Sequence, residues 1–356
     1  MEGEAKNKRI AFVIGNLQRD GAERVISILA EYYCQKGWAV DILTLLNDQC
    51  DYSIHPKIKL IPICRVNHSY YRNIVFWIRG IRKYLLAHNP DKLVSFVARI
   101  NILTLIASLH LKTRIIVSER NDPAADGRSR FVRWATFLSY RLADCIIFQT
   151  KWAQSCFPEN IVNKSAVILN PVQVSCLAAK AKKKKIVAVG RLEPQKNHSM
   201  LLEAFAEIKK KYPDYELHIY GDGCLKHSMK QRIRDLGLKD SVQLPGNVNN
   251  IHARMADAEL FVLPSNYEGL SNALLEAMMM GLPCISTNCA GSNEIIHAGI
   301  NGLIVTVGDT NELIEALKKV IENPELAASL GENAKQSSIA FASGSVLKQW
   351  ESIIEK

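Results

Sequence analysis

Short runs of β-branched and aliphatic residues alternate with longer amphipathic stretches along this chain. In the first half, Arg9–Ile14, Ala39–Leu45, Lys92–Phe96, Arg114–Ser118 and Cys145–Gln149 read as strands. Between them, Gly21–Lys36, Ile74–Ala87, Ile100–His110 and Arg130–Ala143 carry apolar residues at helical spacing. A second series begins at Ile186–Val189. Its further strands are Glu216–Tyr220, Val242–Leu244, Leu260–Leu263, Pro283–Ser286 and Gly302–Val305. Its helices are Ser199–Lys211, Cys224–Leu236, Ile251–Ala256, Ser271–Met280 and Thr310–Glu322, with a last helix over Ser345–Glu355. This alternation predicts an α/β fold of two doubly wound, Rossmann-like parallel sheets. The expected boundaries are 1–171 for the first domain, 172–185 for a linker, 186–341 for the second domain and 342–356 for a C-terminal helix. Two such halves would face a cleft, with ligands outside the carboxyl ends of the strands.

Composition narrows the class. Of 356 residues, 48% are hydrophobic and 22% charged, which excludes a disordered or fibrous chain. The net charge of +10 lies wholly in residues 1–170, which hold 24 Lys and Arg against 14 Asp and Glu. A one-sided basic surface points to an anionic partner: nucleic acid, an acidic membrane face or a phosphorylated substrate. The basic run Lys180–Lys185, between Ala-rich sequence and a strand, reads as a solvated linker. No basic–aromatic module supports nucleic acid as the partner. There is no signal-peptide pattern and no run near the ~18 apolar residues of a spanning helix. Nine scattered cysteines without a C-x-x-C pair fit neither a disulfide framework nor a zinc site, and suggest a reducing, cytoplasmic setting.

Four segments at strand ends carry chemistry. Gly190-Arg191-Leu192, followed by Lys196-Asn197, offers two cations at a strand–helix turn, suited to a diphosphate. Gly221-Asp222-Gly223 allows a tight turn and close backbone approach. The string Pro264-Ser265-Asn266-Tyr267-Glu268-Gly269-Leu270-Ser271-Asn272, running on to Glu276, is the most informative. Its helix start near Ser271 presents free N–H groups to an anion. Glu276 lies eight residues past Glu268, about 12 Å along a helical rise, so the two carboxylates would address different parts of one extended ligand. Glu276 could accept from a ribose diol. Near the N-terminus, Gly15–Arg24 follows the first strand but lacks G-x-G-x-x-G spacing.

Together with Gly21-Ala22-Glu23-Arg24, Gly281-Leu282-Pro283 and Gly302-Leu303, these segments resemble glycosyltransferase family 4, the retaining nucleotide-sugar transferases of GT-B fold. The resemblance covers nearly the whole chain. It is nearest to bacterial members that extend lipid-linked saccharides, including N-acetylgalactosaminyltransferases. It implies that Arg191 and Lys196 hold the donor diphosphate, that Gly269 and Leu270 offer it backbone amides, that Glu276 binds the ribose and that Glu268 serves the donor sugar or pyrophosphate. It also implies a base-facing backbone at Asn247-Val248, a cleft-lining loop Gly15–Gly21 and a C-terminal helix around Trp350 packed on the first domain. The donor would be a UDP-sugar. With cations and amides stabilising the leaving diphosphate, no metal or other cofactor is expected. One departure stands out: where many relatives place a His, the loop after the fourth predicted strand reads Ser118-Glu119-Arg120-Asn121. Glu119 and Arg120 are therefore the candidates there, as base or as acceptor-phosphate ligand. His198 and His297 read as surface or packing residues.

The basic half then acquires a use. Arg72, Arg79 and Lys83 share a face of the helix around Ile74–Ala87, which also carries Arg82, Trp77, Leu85 and Leu86, a composition suited to anionic lipid. Arg128, Arg130, Arg133 and Arg141 form a second basic patch. The expected partners are a nucleotide-sugar, a lipid-linked saccharide acceptor and the inner face of a membrane. A same-fold nucleotide-sugar epimerase and a nucleic-acid-binding protein are the competing readings.

Overall fold

In a computed structural model, residues 8–18, 21–64, 70–174 and 181–356 are described, with the backbone alone for 70–72. The chain divides into two compact units: Met1–Pro171 with Gly344–Lys356, and Val172–Ser343.

The first unit holds β1 (Arg9–Ile14), α1 (Gly21–Gln35), β2 (Ala39–Thr44), β3 (Lys59–Pro62), α2 (Tyr70–His88), β4 (Lys92–Phe96), α3 (Ala98–Ala107), β5 (Arg114–Ser118), α4 (Arg130–Ser139), β6 (Cys145–Phe148), α5 (Lys151–Ser155), α6 (Glu159–Val162) and β7 (Ser165–Val167). Its seven strands run in the order β3-β2-β1-β4-β5-β6-β7, and every pair is parallel. Strands buried on both faces need apolar residues at every position, and β1 is a continuous Ile-Ala-Phe-Val-Ile run. The period-2 alternation divides it: Ile10, Phe12 and Ile14 pack with Tyr33 and Trp350 on one face, Ala11 and Val13 with Trp77 and Ile81 on the other.

The second unit holds β8 (Lys185–Val189), α7 (His198–Lys211), β9 (Glu216–Tyr220), α8 (Lys226–Asp235), β10 (Val242–Gly246), α9 (Ile251–Met255), β11 (Leu260–Leu263), α10 (Asn272–Met279), β12 (Cys284–Thr287), α11 (Ala290–Ile295), β13 (Leu303–Val305), α12 (Thr310–Glu322) and α13 (Pro324–Ser338). The six-stranded order is β10-β9-β8-β11-β12-β13, again parallel throughout. The strand order reverses between β8 and β11, and in doubly wound sheets ligands bind outside the strand carboxyl ends at such a point. The last helix, α14 (Ser343–Ile354), lies in the first unit's core: Trp350 is fully buried, its ring 5.9 Å from Phe96.

The short elements α5, α6, β7 and α11 were not expected from the sequence pattern, and three further features differ from it. β3 is a four-residue edge strand ending in Pro62, too short and too exposed to stand out. α13 is an Ala/Ser-rich helix with few apolar positions, placed by Pro324 at its start and the Asn323 cap. The basic run is not linker throughout. Lys185 opens β8, is buried, and its Nζ donates to Asp257 and to the Arg254 carbonyl at 2.8 Å.

Candidate active site

The loops that follow β8 and β11 are laced together. The Asn266 N–H donates to the Gln195 carbonyl at 2.8 Å, its side-chain amide to the Pro194 carbonyl at 2.8 Å, and Gln195 Nε2 to the Tyr267 carbonyl at 3.1 Å. Asn197, in the left-handed region at φ 44°, immediately precedes α7, and its side-chain amide donates to Asn266 Oδ1 at 3.0 Å. This lacing sets Lys196 Nζ on the Glu268 carboxylate. The same carboxylate accepts from Ser265 Oγ at 2.6 Å. Glu268 and Ser265 are both buried. The end of β12 supports them from below, with Thr287 Oγ1 and Cys289 Sγ donating to the Ser265 carbonyl at 2.6 and 3.1 Å.

Arg191, half exposed, has its guanidinium 3.1 Å from Glu193 and 3.3 Å from Gln195. Gly190 and Gly221 meet backbone to backbone. At Gly221, φ is 138° and a Cβ would stand 2.0 Å from the Gly190 carbonyl oxygen, so only glycine fits. Asp222 accepts from the Gly223 N–H at 2.8 Å and from Lys226 at 2.6 Å, a local turn that fixes this approach.

Ser271 caps α10, its Oγ accepting from the Leu274 N–H at 3.4 Å. Gly269 and Leu270 are buried against α11: a Cβ on Gly291 would be 2.1 Å from the Gly269 carbonyl oxygen. Because Glu268 precedes the helix start at Asn272, the straight helical spacing to Glu276 does not apply. Glu276 is not an exposed helix acid. It is buried, with Oε2 3.4 Å from His252 Nε2 on α9. Asn247 and Val248 follow β10, which extends to Gly246 and not only to Leu244. Val248 lines a hollow of about 470 Å³ with Tyr220, His218 and Arg254.

Chemically, the carboxyl end of this sheet offers a guanidinium, an ammonium paired with a buried carboxylate, and a capped helix start. Gln195, Asn266, Gly291 and His252 complete it and were not foreseen. Gln195 and Asn266 lie inside motifs already marked, and Gly291 follows a strand end by the same rule. Only His252 carries no local signal.

The family model described as glycosyl transferases group 1 matches residues 175–337, which include this whole constellation. The chain is 27% identical to a Campylobacter jejuni GalNAc-GalNAc-diNAcBac-PP-undecaprenol α-1,4-N-acetyl-D-galactosaminyltransferase, over 97% of this chain and 98% of that one. It is 24% identical to an uncharacterised glycosyltransferase of Haemophilus influenzae, over 98% and 100%. The chain is a glycosyltransferase. Its fold is GT-B: it superposes with a TM-score of 0.84 on sucrose-phosphate synthase from Thermosynechococcus elongatus, at 17% identity and 98% coverage of both chains. With Anabaena HepE in complex with UDP and glucose the TM-score is 0.83, at 19% identity and coverage of 98% and 100%.

In the first unit of this glycosyltransferase, several candidate residues have other duties. Glu119, 1% exposed, is held by Arg128 at 3.1 and 3.2 Å and by the Tyr140 hydroxyl at 3.0 Å. A carboxylate so enclosed and so fully paired has a structural duty in place of the open setting expected of a base. Arg120 is also buried. Its Nη1 donates to Asn170 at 2.8 Å, and its guanidinium lies 4.8 Å from the Phe96 ring centre and 5.4 Å from that of Trp350. Burial pulls its pKa down. Between these two rings it ties α14 to β4. Arg82 caps α3, donating to the Ala107 and Leu109 carbonyls at 3.0 and 2.9 Å, and Trp77 is core. The outward face of α2 keeps Arg79 and Lys83 beside exposed Val75 and Leu86. The Arg72 side chain lies outside the described residues. Arg128 leaves the basic patch for the Glu119 pair. Gly15 follows β1, its carbonyl accepting from the Leu46 N–H at 2.7 Å, and Gly21 opens α1. Arg19 and Asp20, in the loop joining them, lie outside the described residues. Among the described residues, no helix is long and apolar enough to cross a membrane.

His198 is a packing residue beneath the Lys196 turn. Burial, reinforced by the Lys196 cation, pulls its pKa from 6.5 down to about 4. Between those values the unfolded chain takes up a proton that the folded chain refuses, so stability present above pH 6.5 is lost as pH falls. His198→Leu is expected to flatten the dependence of Tm on pH across that window. Parallel curves for the two proteins would refute it.

Proposed function

We propose that this glycosyltransferase moves a hexose or N-acetylhexosamine, with retention of configuration, from a UDP-sugar to a polyprenyl-diphosphate-linked saccharide at the inner face of a membrane. The observation that carries the reading is the Lys196–Glu268 pair beside the capped start of α10. As the bond from the anomeric carbon to the diphosphate oxygen breaks, negative charge grows on the leaving group. Arg191, Lys196 and the amides of Gly269 and Leu270 are the donors that would stabilise it, each by about 2.7–4 kcal/mol if it acts like an oxyanion-hole donor. Glu276 would accept from the ribose, and the backbone at Asn247-Val248 would face the base. Glu268, freed from Lys196 by the diphosphate, would turn to the donor sugar. The Campylobacter relatives, named for acceptors on PP-undecaprenol, favour a lipid-linked acceptor. The HepE complexes favour UDP.

The test is a donor screen with UDP-sugars and GDP-mannose on a lipid-linked acceptor, read by mass, with Glu268→Ala and Arg191→Ala as controls. A mass increase with a UDP-sugar that both controls lose supports the reading. Transfer from GDP-mannose alone, or an altered sugar without acceptor, overturns it. Because the diphosphate would be neutralised by protein cations and amides, activity is expected to survive EDTA. Loss of activity in EDTA, restored by a divalent cation, would contradict that part.

A further inference from the structure

The helix α4 carries a second apolar side that faces outward. A surface helix ordinarily turns its apolar side to the core and its polar side to water. Its inner side holds the buried Thr136 and Ser139 and the partly buried Phe137, whose ring meets that of Phe157 at 5.2 Å, while Phe131, Trp134, Leu138 and, in the turn that follows, Leu142 are 72%, 59%, 50% and 51% exposed. Their spacing of three, four and four residues aligns them as one ridge along the helix. Phe131 and Trp134 stack loosely on each other at 6.1 Å, leaving their outer faces bare.

The ridge is framed by charge of one sign. Arg130 and Arg133 are exposed at its start and Arg141 at its end, and α4 contains no acidic residue. The platform beneath is rigid. Ser129 caps the helix by accepting from the Val132 N–H at 3.3 Å. Tyr140, at the far end, is buried, with its hydroxyl on Glu119 at 3.0 Å and accepting from Asn101 at 2.8 Å. Aromatic side chains on a fixed helix, rimmed by arginines, are matched by charge to one environment: the boundary between headgroups and acyl chains of an anionic bilayer.

We propose that α4 is a membrane-seating ridge, with Phe131, Trp134, Leu138 and Leu142 entering the acyl boundary and Arg130, Arg133 and Arg141 lying on anionic headgroups. It deepens the reading of a membrane-borne acceptor, but it rests on this exposed face and not on the sugar chemistry.

The test is flotation with vesicles of phosphatidylglycerol and phosphatidylcholine, against pure phosphatidylcholine. The full chain is compared with Phe131→Ser/Trp134→Ser and with Arg130→Glu/Arg133→Glu. Since the mutated side chains are already in water, the variants are expected to fold and to keep the thermal shift given by UDP. Wild type is expected to float with the anionic vesicles only. Either double variant should bind them at least about tenfold more weakly, and the Trp134 emission shifts to the blue on binding. Wild-type binding that the Phe131/Trp134 variant retains would overturn the proposal and leave α2 as the contact. Absence of wild-type binding would overturn it outright. A fall in oligomer size for the same variant in analytical ultracentrifugation would show that the ridge meets a second copy instead. Flotation that depends on Phe131 and Trp134, with no sugar transfer to any lipid-linked acceptor, would sink the functional reading and leave this one standing.

Discussion

Replacing Lys196 with alanine is expected to lower kcat/KM about 10²–10³-fold, the scale of removing one preplaced donor from a developing oxyanion. The loss should fall mainly on kcat. A cation that meets the diphosphate in the ground state and more strongly as charge builds acts more on the transition state than on the bound donor. UDP affinity, read by thermal shift, should therefore weaken less than kcat. A variant that loses UDP binding and keeps kcat at saturating donor would show that Lys196 only holds the substrate. The mutation also strands Glu268 as a buried, unpaired carboxylate, which Ser265 alone does not compensate. A fall in Tm is expected with it, and Lys196→Ala/Glu268→Gln should recover the Tm but not the activity. The two effects then separate on one protein.

Much of the site was legible because its chemistry is local. The segments Gly190–Asn197 and Ser265–Ser271 each follow a buried strand and precede a helix start, and in a doubly wound sheet that position alone predicts a ligand. The topology supplied what sequence could not. β8 and β11 are neighbours at the point where strand order reverses, which brings Lys196 to Glu268 across 72 residues.

The misreadings share a cause. Hydrophobic periodicity tells which residues share a face, not which way that face turns. In α2, Trp77, Ile81 and Leu85 point to the core. In α4 the same kind of ridge points out. Charge does not show that a side chain is free: Arg120 lies against Trp350, 230 positions away in the chain, and Arg82 donates to two carbonyls at the end of α3. Partners that distant leave no trace in spacing.

The buried pair of Glu119 and Arg128 makes the second large prediction. Arg128 spans Glu119 and Asp126, with Nη2 2.6 Å from Asp126 and 3.1 Å from Glu119, and all three side chains are nearly inaccessible. Arg128→Ala would leave the Glu119 carboxylate in an apolar setting with only the Tyr140 hydroxyl. Breaking a buried pair this way costs about 3–5 kcal/mol. Chemical denaturation should show that loss, and Arg128→Met/Glu119→Gln should recover part of it, since removing both charges abolishes the uncompensated one. The activity readout decides what Glu119 is for. If it supports the fold, Glu119→Gln lowers Tm while kcat at low temperature and its pH profile stay near wild type. If it were a base, kcat would collapse with the fold intact and the acidic limb of the profile would vanish. The network also fixes α4 through Tyr140, so a second consequence follows: Glu119→Gln should loosen the ridge and weaken binding to anionic vesicles at temperatures where transfer of donor sugar is unaffected.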